Sequence, residues 1–155
     1  MNAITYQNPK DLISACSWGV LATLTDTPAG GLLNGFPYNA AVQYALSNTG
    51  DFLFFISSIA RHTQYLNANP KAAIMVSAAS QDTPVLASSR ATCFLQVQQD
   101  PSEDLFLEYL ARHPEAQGFR QFHDFSLYRG TVLEVHWIRG FAQVQTMTGD
   151  DFRKF

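Results

Sequence analysis

Charge is scarce in this sequence. Asp, Glu, Lys and Arg make up 15% of its 155 residues, well under the quarter or so usual for soluble domains, so much of the surface is neutral and a second subunit would give part of it cover. Ten Lys and Arg against thirteen Asp and Glu leave a net charge of −3, which excludes the basic footprint of a nucleic-acid or anionic-membrane binder. Cysteine is nearly absent. Cys16 and Cys93 show no Cys-x-x-Cys spacing, so two reduced, buried thiols are expected rather than a disulfide or a zinc site. Long apolar runs are missing too: Phe52-Leu53-Phe54-Phe55-Ile56 is too short to span a bilayer, and the opening MNAITYQNPK has no basic-then-apolar leader pattern. The expected compartment is therefore the cytoplasm. No Gly-rich nucleotide loop and no Gly-x-Ser-x-Gly elbow occurs, which removes the common hydrolase classes. His113, His123 and His136 lack the i, i+4 spacing of a helical metal site, and no metal is expected.

What is present suits one packed domain over residues 1–155: 46% hydrophobic and 13% aromatic residues supply a core for a chain of this size. Asn8-Pro9 before Leu12, Ile13, Ala15 and Cys16 predicts a capped helix that ends near Trp18-Gly19. Residues 20–25 read as a strand, and the turn formers at 26–31 predict a hairpin whose second strand starts at Leu32 and runs through Pro37 and Tyr38 toward Leu46. Pro37 places that strand at an edge or a bulge. A third strand over 51–56 leads to a helix over 59–67, stopped by Asn69-Pro70. Strands over 72–79 and 88–98 follow, then a helix from Glu103 carrying Leu105, Phe106, Tyr109 and Leu110 on one face, and a last strand pair over 126–146 turning near Arg139-Gly140. Strands in hairpin order with short helices between them predict a mainly β (α+β) fold, a six-stranded antiparallel Greek-key split β-barrel with short flanking helices. The edges of an open barrel call for a homodimer.

Chemistry concentrates where the third strand meets its helix. Ser57 and Ser58 are followed by Arg61, His62 and Thr63 in the helix's first turns. Free N–H groups at a helix start, a permanent guanidinium charge and three hydroxyls suit a phosphate dianion. The plainer alternative has Ser58 capping a helix whose Arg61 and His62 face water.

The run Ala60-Arg61-His62-Thr63-Gln64-Tyr65-Leu66-Asn67-Ala68-Asn69-Pro70 resembles the signature of the pyridoxamine 5′-phosphate oxidase-like FMN-binding split barrels, closest to their haem-utilisation branch. Gly19-Val20-Leu21-Ala22-Thr23-Leu24, Phe36-Pro37-Tyr38, Ser89-Arg90-Ala91-Thr92, Asp124-Phe125-Ser126-Leu127-Tyr128-Arg129 and Arg139-Gly140-Phe141-Ala142 fall in the matching order. The resemblance implies an FMN-dependent oxidoreductase, with FMN between the subunits of a homodimer and its phosphate held by Ser57, Ser58, Arg61, His62 and Thr63. It also implies ring or ribityl contacts from Pro37, Tyr38 and Asn39 and from Arg90 and Thr92. The substrate and the catalytic residues stay open. Nothing after Gln143 reproduces the Arg- and His-bearing end of the true oxidases, so that activity is not expected. The alternatives are a haem-binding or haem-degrading protein of the same fold, or a cofactor-free regulatory dimer. Toward haem the family implies a Gly-Gly-Phe-Gly run and a later iron-ligating His, whereas here Arg139-Gly140-Phe141-Ala142 stands and no His follows His136.

Overall fold

The two ends of the sheet are consecutive in the chain, and that forces the sheet to curl. A computed structural model describes residues 6–26 and 31–155. Its strands are β1 (Trp18–Leu24), β2 (Pro37–Gln43), β3 (Ala45–Leu46), β4 (Phe52–Ser57), β5 (Lys71–Ser77), β6 (Arg90–Gln99), β7 (Phe125–Gly140) and β8 (Gln143–Thr148). They form one antiparallel sheet in the order β2-β1-β5-β6-β7-β4-β3, with β8 on β7. Only Tyr44 separates β2 from β3, so the first and last strands must meet. Tyr44 fixes this corner: its N–H donates to the Ser17 carbonyl (3.1 Å), its hydroxyl to the Ile13 carbonyl (2.6 Å), and its ring packs on Phe52 at 4.9 Å.

Alternate side chains point inward, as a pleated strand requires. Leu21 on β1, Ile74 and Val76 on β5, Cys93, Leu95 and Val97 on β6, and Val132, Val135 and Trp137 on β7 fill the barrel together with Phe52 and Phe54. The fold class therefore stands, a mainly antiparallel split barrel with short helices. Among the described residues eight strands occur where a six-stranded barrel was expected: the long second strand breaks at Tyr44 into β2 and β3, and β8, the second member of the expected last pair, lies off the main strand order on β7. At Leu133 the ladder shifts register, so Leu133 and Glu134 both point outward, as at a β-bulge.

Several boundaries differ from the sequence reading. Helix α1 (Pro9–Ala15), capped by the Asn8 side chain, ends before Trp18, which already belongs to β1. No strand starts at Leu32: residues 31–35 form turns in which Gly31 and Gly35 take φ of +135° and +81°, left-handed values that glycine tolerates. The rest of the turn expected over 26–31, residues 27–30, lies outside the described residues. Helix α2 (Arg61–Ala68) starts two residues later than expected, since Ile59 is exposed and residues 58–60 turn before the helix. Helix α3 (Glu103–Arg112) is capped by Ser102, as its sequence predicts. Helix α4 (Gly149–Arg153) was not foreseen. Thr148 caps it, and it buries Phe152 completely against the barrel.

Candidate functional site

The expected phosphate binders do gather at one place, the junction of β4 and α2, but a carboxylate sits among them. Ser57 ends β4 opposite Phe125 on β7. Its Oγ donates to Asp124 Oδ2 at 2.5 Å and accepts the Ile59 N–H at 3.2 Å, while the Ser58 N–H donates to the Asp124 carbonyl at 2.8 Å. Ser58 does not cap the helix. That position belongs to Ala60, which offers no side-chain oxygen, and so the first turn of α2 keeps its positive end open. Arg61 is exposed and makes no ion pair among the described residues. His62 is half-buried with its Nε2 unpartnered, and burial holds its pKa below that of a free imidazole. Thr63 is fully buried, and its Oγ1 is unpartnered as well. One helical turn thus holds two buried polar atoms without a hydrogen-bond partner.

The other expected contacts divide. Tyr38, on the edge strand β2, packs edge-on against Tyr65 of α2 with ring centres 5.4 Å apart, so the start of β2 borders the α2 cluster, with Pro37 and Asn39 exposed beside it. Arg90 and Thr92 lie elsewhere. Thr92 pairs with His136 near the far end of β7, whereas Ser57 pairs with Phe125 at its start. Nor is Arg90 a free cation: its Nη1 donates to the carbonyls of Val85 (2.9 Å) and Ser88 (3.3 Å) and pins the short turn at Val85–Ala87.

Thr92 belongs instead to the outer face of the sheet, which sequence reasoning did not single out. Trp18, Met75 and Phe94 are exposed there, with Val20, Ala22 and Thr92 half-buried between them. A cleft of about 380 Å³ opens at one end of this face, between Trp18, Val20, Met75 and Val85. His136 stands on the same face, its ring 5.1 Å from Phe94 and its Nε2 2.8 Å from Glu134 Oε1. Alternation along β5, β6 and β7 could have revealed this face, because Met75, Thr92, Phe94 and His136 are out of phase with the buried positions. Neither cysteine suits chemistry. Both are free, and burial pushes the Cys93 thiol up to about 12 and raises that of Cys16. Among the described residues no group of three His, Cys, Asp or Glu could hold a metal ion, and no helix is long and apolar enough to cross a membrane.

Comparison with known proteins bears on this pair of surfaces. The family model described as CREG, beta-barrel matches residues 6–154. The chain is 28% identical over 141 residues to the chloroplastic heme oxygenase HOZ of Arabidopsis thaliana, covering 91% of this chain and 42% of that protein. It is 28% identical over 123 residues to the heme oxygenase HutZ of Vibrio cholerae, covering 74% of this chain and 70% of that one. The chain thus spans about two fifths of the first relative and most of the second. A solved heme binding protein from Mycobacterium smegmatis superposes with a TM-score of 0.81 at 26% identity, over 94% of this chain and 58% of its own. The solved HutZ of Vibrio cholerae, at 22% identity and a TM-score of 0.64 over 90% and 91% of the two chains, shares the fold.

Proposed function

The chain belongs to the CREG, beta-barrel family, a split-barrel group of the pyridoxamine phosphate oxidase type, and from that membership we propose that it binds haem between two copies of itself. One observation carries this reading: the two curated relatives and the Mycobacterium smegmatis protein, at 26–28% identity, are all named for haem. FMN, expected first from the resemblance, has no such support.

The residues present suit a flat ring with acidic substituents. Met75, Phe94 and Trp18 offer an apolar surface for a macrocycle, and His136 offers an imidazole, oriented by Glu134, to an iron. At α2, Arg61 and the open helix start would pair with a propionate, with His62 and Thr63 supplying the buried polar atoms that lack partners. Thr92 and Ser57 face opposite ends of β7 within one chain, so a single ligand reaches both surfaces only if a second copy brings its own α2 to the sheet. That is the argument for a homodimer with a shared site. Bound haem would supply iron-centred oxygen chemistry, and His136 with the polar groups around it would tune that chemistry.

Hemin titration tests the reading. A saturable Soret band at one hemin per chain is expected, with the absorption and spin-state signature changed in His136→Ala. A linear, unsaturated rise identical to that of hemin in buffer would reject it.

A further inference from the structure

We propose that Asp124 sets the charge of the ligand that the β4–α2 junction accepts, turning away a phosphate dianion and admitting a singly charged carboxylate or a neutral group. The inference rests on the reading of α2 as the ligand anchor, and it concerns which anchor group is allowed there.

A phosphate needs donors, and Asp124 has taken two of them. The Ser57 hydroxyl carries one proton, which goes to Asp124 Oδ2 at 2.5 Å, and one of its lone pairs already receives the Ile59 N–H. The Ser58 N–H is spent on the Asp124 carbonyl at 2.8 Å. The Ser57 hydroxyl is then not the donor that the sequence pattern promises, and Ser58 keeps only its side-chain hydroxyl for a ligand. What Asp124 adds is charge. Beside the carboxylate the cluster holds, among the described residues, one permanent cation, Arg61, so the junction is near neutral before any ligand arrives. His62 contributes no reliable positive charge, because burial favours its neutral form.

A carboxylate ligand leaves this junction with one net negative charge; a phosphate dianion leaves it with two, on a ligand that shares the junction with the Asp124 carboxylate. Like charges sharing one site oppose binding where water is partly excluded. The sequence around the junction reads as a phosphate site because Ser57, Ser58, Arg61 and Thr63 are contiguous. Asp124 lies 67 residues away and joins them only through the pairing of β4 with β7.

FMN and riboflavin differ by the phosphate alone, which makes their affinity ratio the readout. In fluorescence titrations of the wild-type protein the two should bind within about threefold of each other. Asp124→Asn keeps the shape and an acceptor for Ser57 while removing the charge, and should shift the ratio at least tenfold toward FMN. Arg61→Ala in the same background should abolish that shift. Asp124→Ser, which also keeps a hydroxyl partner for Ser57, is the second variant should the amide disturb folding, and the same shift is expected of it. A strong wild-type preference for FMN, or an unchanged ratio in a folded neutral variant, would overturn the proposal. Hemin titrated in parallel separates the two readings: failure of hemin alone rejects the haem assignment, while the flavin ratio still decides the role of Asp124.

Discussion

His113 Nε2 donates to the Tyr44 carbonyl oxygen at 2.7 Å, tying the end of α3 to the corner at which the barrel closes. The carbonyl can only accept, so this nitrogen carries the proton. The imidazole is almost wholly buried and lies against the Tyr109 ring at 5.0 Å. Proximity to Pro114 explains why the sequence marks His113 as a helix end, and it is indeed the C-cap of α3. Its bond to Tyr44 is invisible in the sequence, because the partner is 69 residues away.

His113→Ala should leave the Tyr44 carbonyl unpaired and open a cavity beside Tyr109. A loss of about 2 to 4 kcal/mol is expected, roughly 5 to 15 °C in the melting temperature for a chain of this size. A change under about 2 °C in differential scanning calorimetry would mean that water replaces the imidazole at the corner.

Asp51 is buried and faces two guanidinium groups. Its Oδ2 accepts from Arg129 Nε (2.9 Å) and Nη2 (2.7 Å), and its Oδ1 accepts from Arg153 Nη2 (3.1 Å). Asp51→Ala takes away the carboxylate that both cations share, leaving Arg129 with Asp100 at 3.9 Å and Arg153 with Asp150 at 3.1 Å. Removing one member of a buried ion pair costs about 3 to 5 kcal/mol, and the partial exposure of both arginines puts the expectation at the low end. Urea denaturation of the variant measures it, with faster hydrogen exchange in α4 as the local sign that Arg153 has let go.

For His62 the sign of the pH dependence follows from burial. Its folded pKa lies below the free imidazole value of about 6.5, so between the two values the unfolded chain holds a proton that the folded chain does not. Stability contributed by the neutral ring therefore falls as pH drops through that window. His62→Asn should lose less stability than the wild type between pH 7.5 and 5.5 in paired thermal melts. Parallel curves would remove His62 from the acid response.

Met75 sits in the middle of the exposed outer face. If that face meets a second copy, Met75→Glu buries a charge at an apolar contact, and light scattering should fall from twice the 17.2 kDa of one chain to that mass. A wild-type monomer at micromolar concentration would reject the shared site.

Local signals carried much of this structure into the sequence. The Ser102 cap of α3, the contiguous Ser57 to Thr63 cluster and the apolar β4 are readable because each depends on neighbours in the chain. Leu32 misled, since an apolar residue after a glycine pair suggests a strand, yet it is 93% exposed on a turn. Helix α4 escaped notice because five residues give no helical period. It is fixed by long-range packing: a methyl group on Gly149 would fall 1.9 Å from the Val132 carbonyl oxygen. Asp124 was legible as part of a family motif but not as a partner of Ser57, which only the sheet register brings to it.

The sixteen residues of β7 bond to β6 along one edge and to β4 and then β8 along the other. A strand shared by three neighbours, two of them far earlier in the chain, cannot be replaced by local structure. During synthesis, β1, β2 and β5 can pair as soon as they emerge, while β4 has only the two-residue β3 beside it and leaves its other edge open until residue 125 and beyond leave the ribosome. This interval is when the chain is most open to aggregation and to chaperone capture, and the amides of β7 should then be among the last to exchange once the barrel has closed.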